Sequence, residues 1–524
     1  MQNRNLIRFA FTVGGFTMLS RILGMVRDVL TAGFFGTTLV FSAFSVAFRI
    51  PNLFRALFGE GALSAAFIPV FQETRQRQGE PAAWRLARRI FSLSGVVLLA
   101  IVALGILGIT LAMRRPGLDE KMAAILPLAR IMLPYVFFIC IGALAMGVLN
   151  TYRLFSVSAF TPTLLNITWI LSVLFVIPVF RTPHAQITAL AWTVFAAGAI
   201  QLTYLLAPLF RVGWRPGFDA DWSDPLVRRV FLLMGPNALG LAVNQVDVLI
   251  SSWLALLAGP WAPSCLFYAE RLIYLPQGIL ATSLGVVLLP VLSEYAARGD
   301  LPQMRDAVQH GLRTLLFVMT PAAIGLLVLS APVIQLLFEH GRFDATSTLL
   351  TARALRFYAP GLMVFCLAKV FVPAFYALQD TKTPVKIGLC TVAICFTCNI
   401  LSVLTLPEYW RHAGLAASTV LAEIFNGTTL AILLRRRLGR IPFRPILATL
   451  LRSLSCAALM ALAAYYANLS LAHLIRLYYP RLAPFSVLPA IAVAAAAYFL
   501  LARLIRAPEL GFVLEAFHRK KSRH

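Results

Sequence analysis

The sequence predicts an all-α polytopic membrane protein of about fourteen spanning helices. It is expected to form two parallel six-helix halves followed by two extra helices. Three observations predict this: an apolar composition, an uneven distribution of basic residues, and an internal repeat. Of the 524 residues, 60% are hydrophobic and 13% charged, and mean hydropathy is +0.81. Soluble domains carry about 25% charged residues. Apolar stretches such as 91–113, 187–210 and 312–337 recur along the chain. About 20 apolar residues in a helix cross a hydrocarbon core about 30 Å thick. The joining segments are short, so no separate aqueous domain is expected. The first apolar segment runs past Gly24 without a small-residue cleavage site, so it is expected to remain as the first helix.

The formal net charge is +25, from 46 basic and 21 acidic residues. In a soluble protein such a balance points to nucleic acid. In a membrane protein it has another reading. With the N-terminus in the cytoplasm, the inward links hold Arg75, Arg77, Arg85, Arg88 and Arg89, then Arg211, Arg215, Arg228 and Arg229, and later Arg435, Arg436 and Arg437. Outward links hold far fewer basic residues, among them Arg114, Arg115, Arg181 and Arg342. This positive-inside bias places both termini in the cytoplasm and leaves no role for a nucleic-acid partner.

The repeat rests on two matches. Pro69-Val70-Phe71-Gln72-Glu73 is echoed by Pro290-Val291-Leu292-Ser293-Glu294, and Thr161-Pro162 by Thr383-Pro384, each about 220 residues later. Short proline motifs at helix ends also arise by chance, but two at nearly one spacing favour duplication. Six helices per copy return the chain to the same side, so the copies are parallel, related by a pseudo-two-fold axis along the membrane normal. The expected divisions are 1–215, 222–440, two further helices in 446–506, and a basic tail, 507–524. The seven cysteines fall mostly in apolar runs, and Cys395 and Cys398, a C-x-x-C inside a membrane segment, read as packing rather than metal or redox residues.

Charges inside the membrane are the functional signal. A basic side chain at the bilayer centre costs about 2.5–3.5 kcal/mol on insertion scales, so it faces a watery cavity or a partner. The first two helices hold Arg21, Arg27, Asp28, Arg49, Arg55 and Glu60; a later one holds Glu270 and Arg271. Any single one could be a helix-end snorkeller or half of a buried ion pair, and Arg27 beside Asp28 invites that second reading. Four arginines within 55 residues, with Asp28 as the nearby counter-ion, call for an anion from outside. Arginine suits phosphate because its planar fork donates two hydrogen bonds and stays charged. Arg49, Asn52 and Arg55, at i, i+3 and i+6, form a slanted stripe on one helix face. Gly14, Gly15 and Gly24 around Ser20-Arg21 are expected to let the first helix kink or unwind.

These segments carry a family resemblance. Ser20-Arg21-Ile22-Leu23-Gly24-Met25-Val26-Arg27-Asp28, then Pro51-Asn52-Leu53-Phe54-Arg55 with Gly59-Glu60-Gly61-Ala62, resembles the opening helices of the MurJ (MviN) family of lipid II flippases. So do Tyr268-Ala269-Glu270-Arg271-Leu272 and the stretch from Phe375-Tyr376 to Asp380-Thr381-Lys382-Thr383-Pro384. The family sits within the multidrug/oligosaccharidyl-lipid/polysaccharide exporter superfamily. The resemblance implies fourteen helices and an alternating-access carrier with a cationic central cavity. It implies a substrate that is a polyprenyl-diphosphate-linked glycopeptide lipid, moved between the leaflets of the bacterial inner membrane. It further implies that Arg21, Arg27, Arg55 and Arg271 match essential basic positions, with Arg49 and Asn52 beside them. Asp28, Glu60 and Glu270 would be their gating or ion-pair partners, and cell-wall synthesis proteins would be possible partners of the chain.

Some positions depart from the family pattern. Ser42 and Tyr274 stand where some relatives carry acids, which puts their gate contacts in doubt. Relatives that bind sodium suggest Asp247, Asn399 and Thr419 as a cation site, although Val403 stands near a place where an acid is expected and a hard cation wants several oxygens. No cofactor is expected. The energy source is read as Na+ or the membrane potential. No Ser/His/Asp order, phosphate loop or metal-spaced His/Cys cluster occurs in an aqueous segment, so an enzyme such as a glycosyltransferase or lipid phosphatase is not expected. A cation-coupled drug exporter would line its cavity with acids, the opposite of these arginines. A flippase for another polyprenyl-diphosphate glycan shares the chemistry and stays open. On this reading Arg27→Ala, Arg55→Ala and Arg271→Ala each abolish function while leaving the protein in the membrane.

Overall fold

The structure is a computed structural model and describes residues 2–59, 62–440 and 442–511. It is helical, with no strand among the described residues. It divides into two compact units, Met1–Leu256 and Leu257–His524. The first unit runs α1 (Gln2–Phe35), α2 (Leu39–Phe54), α3 (Ala62–Gln78), α4 (Glu80–Met113), α5 (Glu120–Met132), α6 (Tyr135–Thr151), α7 (Phe155–Leu171), α8 (Pro183–Arg211) and α9 (Pro225–Ala258), whose last residues pass into the second unit. The second runs α10 (Ala262–Pro276), α11 (Thr282–Ala297), α12 (Leu301–Val328), α13 (Ser330–Phe338), α14 (Ala345–Tyr358), α15 (Gly361–Phe365), α16 (Ala368–Ala377), α17 (Lys382–Thr405), α18 (Glu408–Leu438), α19 (Phe443–Tyr478) and α20 (Val487–Leu504).

Among the described residues, eight helical segments are long and apolar enough to cross a membrane, and up to ten if two bent pairs each count as one. The bent pairs are α5 with α6, at 40°, and α14 with the run 361–377, at 48°. Each break holds a proline, Pro134 in the first and Pro360 in the second. Proline lacks the N–H that would continue the helical ladder, so the chain turns there. The long stretches outside this set, 2–35, 39–59 with 62–78, 225–258 and 262–297, include those that hold Arg21, Arg27, Asp28, Arg49, Arg55, Asp247, Glu270 and Arg271.

The two units repeat one run of elements. In the first, α2 passes through a single π-turn, Arg55–Gly59, toward α3; in the second, α10 passes through a π-turn, Gln277–Ala281, into α11. The Pro69 and Pro290 of the repeated motif lie inside α3 and α11, downstream of these turns. A bent pair follows in each unit. Duplicated sequence has kept not only proline positions but the same local irregularity, and Arg49 and Arg271 each stand six residues before a π-turn.

Within the first unit α1 packs on α7, α2 on α5 and α6 on α8. Arg89 of α4 binds Asp219, Asp221 and Asp224 at 3.0, 3.2 and 2.6 Å, which fastens the link that leads into α9. Within the second unit α17 pairs with α18, and α19 packs on both α12 and α20. At Gly285 an added Cβ would sit 3.0 Å from the carbonyl oxygen of Lys369, so α11 and α16 approach as closely as they do because this position has no side chain.

A short segment after α20 closes the second unit. Glu509 is 1% exposed and accepts from both Nε and NH2 of Arg313 and from the hydroxyl of Thr449. Burial alone raises the Glu509 carboxyl, but the hydrogen bonds from Thr449 and Arg313 outweigh it and hold the group below its ordinary value. A carboxyl lowered on folding stabilises above its unfolded value, near 4.3, and that stabilisation fades as pH falls through the folded value. Glu509→Gln is expected to lower stability by about 1–3 kcal/mol at pH 7. In detergent melts the gap to wild type should shrink as the pH drops below 5; a constant gap would contradict the arrangement.

Candidate functional site

The cationic segment opens in α1. The helix is continuous through Gly14, Gly15 and Gly24, so the local unwinding expected there does not occur. Cβ atoms at Gly14 and Gly15 would meet open space, whereas one at Gly24 would meet the Asn166 amide at 3.7 Å. Gly24 therefore serves the approach of α7.

That approach decides the state of Arg27. The residue is 8% exposed and Asp28 3%. Arg27 donates from Nε to Asp28 Oδ1 at 2.8 Å, with NH2 at 2.7 Å from the same oxygen. Its NH1 donates to Asn166 Oδ1 at 3.0 Å, and its guanidinium lies 4.6 Å from the Trp169 ring centroid. Asn166 in turn donates to the carbonyl of Ser20 at 2.8 Å, clasping two turns of α1. Trp169 donates from Nε1 to Thr31 Oγ1, whose hydroxyl caps the Arg27 carbonyl. Phe44 and Phe48 of α2 meet Trp169 edge-on at 5.4 and 5.8 Å. A guanidinium so enclosed has an anion, an amide oxygen and a π-face, which together make up for lost water. The ion-pair reading of Arg27 and Asp28 thus describes this structure. Arg27 fixes α1 against α7 and does not project as a spare cation.

The other basic residues differ. Arg21 is half-buried and has no ion pair among the described residues. Arg49, Asn52 and Arg55 follow one another along α2 into the π-turn, all half-buried, and Arg55 donates from Nε to Asn52 Oδ1 at 3.2 Å. A π-turn loosens the helical ladder where it occurs, and such turns are frequent at functional sites. Here it begins at Arg55 itself. Ser42 is fully buried and its carbonyl accepts from Ser45. Glu60 lies outside the described residues.

In the second unit Glu270 and Arg271 are adjacent and half-buried on α10. Glu270 accepts from the Tyr358 hydroxyl at 3.2 Å, and Arg271 stacks on Phe267 at 4.4 Å. Tyr274, one turn further on, is 49% exposed.

The suggested cation ligands fall in different units. Asp247 is half-buried on α9 in the first. Asn399 and Thr419 are in the second, on α17 and α18. Asn399 is 1% exposed and donates to Cys395 Sγ at 3.6 Å; Thr419 donates its hydroxyl to the Leu415 carbonyl at 3.1 Å.

Sequence reasoning missed Asn166, Trp169 and Thr31, which complete the Arg27 arrangement, and Tyr358, which holds Glu270. A polar Asn and an indole on one apolar helix, three residues apart, were the available signal.

Comparisons with known proteins bear on the site as a whole. A family model described as "Lipid II flippase MurJ" matches residues 31–482. The "Lipid II flippase MurJ" of Burkholderia cenocepacia is 37% identical over 446 residues, covering 83% of this chain and 84% of that protein. A "Probable lipid II flippase MurJ" of Rhizobium meliloti is 33% identical over 471 residues, covering 88% and 87%. Among solved structures, "Lipid II flippase MurJ, inward closed conformation" superimposes with a TM-score of 0.75 at 23% identity, over 95% of this chain and 98% of that one. An inward-facing multidrug resistance MATE family transporter of the MOP superfamily gives 0.65 at 12% identity, over 82% and 98%. These two structures share the fold.

Proposed function

The chain belongs to the lipid II flippase MurJ family, and from that premise we propose that it carries lipid II, the undecaprenyl-diphosphate-linked peptidoglycan precursor, from the cytoplasmic to the periplasmic leaflet. It is a multi-pass transporter of the inner membrane and not an enzyme. The observation that carries the reading is the excess of arginine in the first unit. Arg21, Arg49 and Arg55 stand with Arg27 in its opening helices and the π-turn that follows, four arginines within 55 residues. A diphosphate of about −2 charge answers that excess, because charge-assisted hydrogen bonds to arginine are the strong ones. The polyprenyl tail stays in lipid while the head group enters with the diphosphate.

Transport proceeds by alternating access in this reading. Arg49 on α2 and Arg271 on α10 occupy related places in the repeat, each six residues before a π-turn, and Arg55 opens the first of those turns. The substrate anion drives the change only so far as it binds one state better than the other. The energy source is the membrane potential or a cation gradient. Moving one charge across 100 mV supplies about 2.3 kcal/mol. Asp247, Asn399 and Thr419 are the candidate ligands if the ion is Na+. A drug exporter for cationic compounds is disfavoured by the same arginines.

Expression in a strain depleted of its own lipid II flippase tests the function. Growth should be restored, and lipid II should not accumulate in the inner leaflet. Failure of a well-expressed protein to do either would overturn the assignment, and rescue of a different glycan pathway alone would move it to another polyprenyl-diphosphate lipid.

Orientation follows from the basic links, with both termini cytoplasmic. In a cysteine-free background, a single cysteine at Gly259 should react with an impermeant thiol reagent in intact cells, and one at Gly79 only after permeabilisation. The reverse pattern would invert the topology.

A further inference from the structure

The second unit holds a cavity unrelated to the cationic segments. It lies between α14, α17 and α18 and has a volume of about 360 Å³. Phe357, Leu401, Leu406, Trp410, Ala417 and Leu421 line it. Four of these, Phe357, Leu401, Trp410 and Leu421, are 40%, 53%, 46% and 55% exposed. They lie on helices, or in a bent pair of helices, long and apolar enough to cross a membrane, where hydrocarbon is the solvent for exposed apolar side chains. The two serine hydroxyls in the wall, Ser402 and Ser418, bond to each other at 3.2 Å, and Ser418 also donates to the Gly414 carbonyl. The interior thus offers a polar ligand little that is not already committed.

The rim is different. Leu406 is the C-cap of α17, one residue before the N-cap of α18, so the cavity reaches the end of two spans, where hydrocarbon gives way to head groups. Two guanidinium groups sit there. Arg353 stacks on Trp410 at 4.4 Å and donates to the Tyr409 carbonyl, while Arg411 donates to the Leu406 carbonyl at 3.2 Å. Neither has an ion pair among the described residues. Each arginine is fixed against a residue of the wall or its neighbour by an uncharged contact, which leaves its charge available. Glu408 is the nearby acid and is exposed.

We propose that this cavity binds one acyl chain of an anionic bilayer phospholipid, with the phosphate of that lipid held by Arg353 and Arg411. The chemistry that selects the occupant is an apolar wall with satisfied hydroxyls and two cations at the mouth. Ligand cavities run from about 300 to 1,000 Å³, so this one is at the small end and suits a single chain rather than a long polyprenyl tail. A basic residue near the head groups adds about 1 kcal/mol of attraction for anionic lipid. The site is separate from the proposed transport route, so its test does not depend on that assignment.

The test is lipid retention by the purified full-length protein, followed by native mass spectrometry. Phosphatidylglycerol should be retained in preference to phosphatidylcholine of the same chains. The double variant Arg353→Ala/Arg411→Ala should lose that preference, with retention of phosphatidylglycerol falling about thirtyfold. Ala417→Trp, which fills the cavity, should lose the bound lipid of either head group. A photocrosslinker placed at Leu401 in the otherwise unaltered protein should capture an acyl chain, which keeps the proposal testable if a variant folds poorly. Equal retention of both lipids, unchanged retention in Ala417→Trp, or displacement of the crosslink by undecaprenyl phosphate in place of phosphatidylglycerol would each overturn it.

Discussion

Replacing Arg27 with alanine is expected to remove the protein from the membrane fraction, not only its activity. Asp28 is 3% exposed, and its carboxylate is paired with Arg27 at 2.7 Å. Taking away one partner of a buried ion pair costs about 3–5 kcal/mol. The Asn166 oxygen and the Trp169 face lose their cation in the same step. Whole-protein stability is of that order, about 5–15 kcal/mol, so a large part of the population would be lost to proteolysis. Immunoblots of membranes should show the loss. Replacing Asp28 as well, in Arg27→Met/Asp28→Asn, should restore much of the protein, because neither half of the ion pair then stays without the other. Normal protein levels in Arg27→Ala, with transport alone abolished, would return Arg27 to the substrate site. This reverses the expectation drawn from sequence, in which Arg27 behaved like Arg55 and Arg271.

Arg55→Ala and Arg271→Ala are expected to do what that reading asked of all three. Both residues are half-buried, Arg55 against the uncharged Asn52 and Arg271 on the ring of Phe267. Water can take over groups at half-buried positions, so the folded protein should persist. The loss falls on the anion. A hydrogen bond to a charged group contributes about 1.5–3 kcal/mol, so each substitution should slow flipping by roughly ten- to a hundredfold or more and fail to support growth. Lysine should recover part of the activity where a point charge suffices and little where two parallel hydrogen bonds are needed. A flipping assay in depleted cells, paired with immunoblots, reads both quantities. Transport at the wild-type rate in either alanine variant would remove that residue from the route.

The sequence by itself determined the properties that depend on local composition. Apolar runs of spanning length mark a membrane protein because the hydrocarbon thickness and the helical rise are fixed. The repeat was legible because duplication copies proline positions, and the structure adds the paired π-turns and paired proline bends. The arginine-rich opening was legible because charge in a spanning segment is costly wherever it occurs. Tertiary structure alone decided which neighbours those charges meet. Arg27 and Arg55 look alike in sequence, each an arginine on an apolar helix. Arg27 is enclosed by Asn166 and Trp169, well over a hundred residues away in the chain, while Arg55 opens a π-turn beside Asn52. Likewise the three glycines of α1 permit a kink, but the helix stays continuous, and Gly24 lies where α7 brings in Asn166. A residue's own identity fixes the cost of burying it; only the partners brought by packing fix whether that cost is met, and no spacing rule along one helix reports which helix will lie beside it.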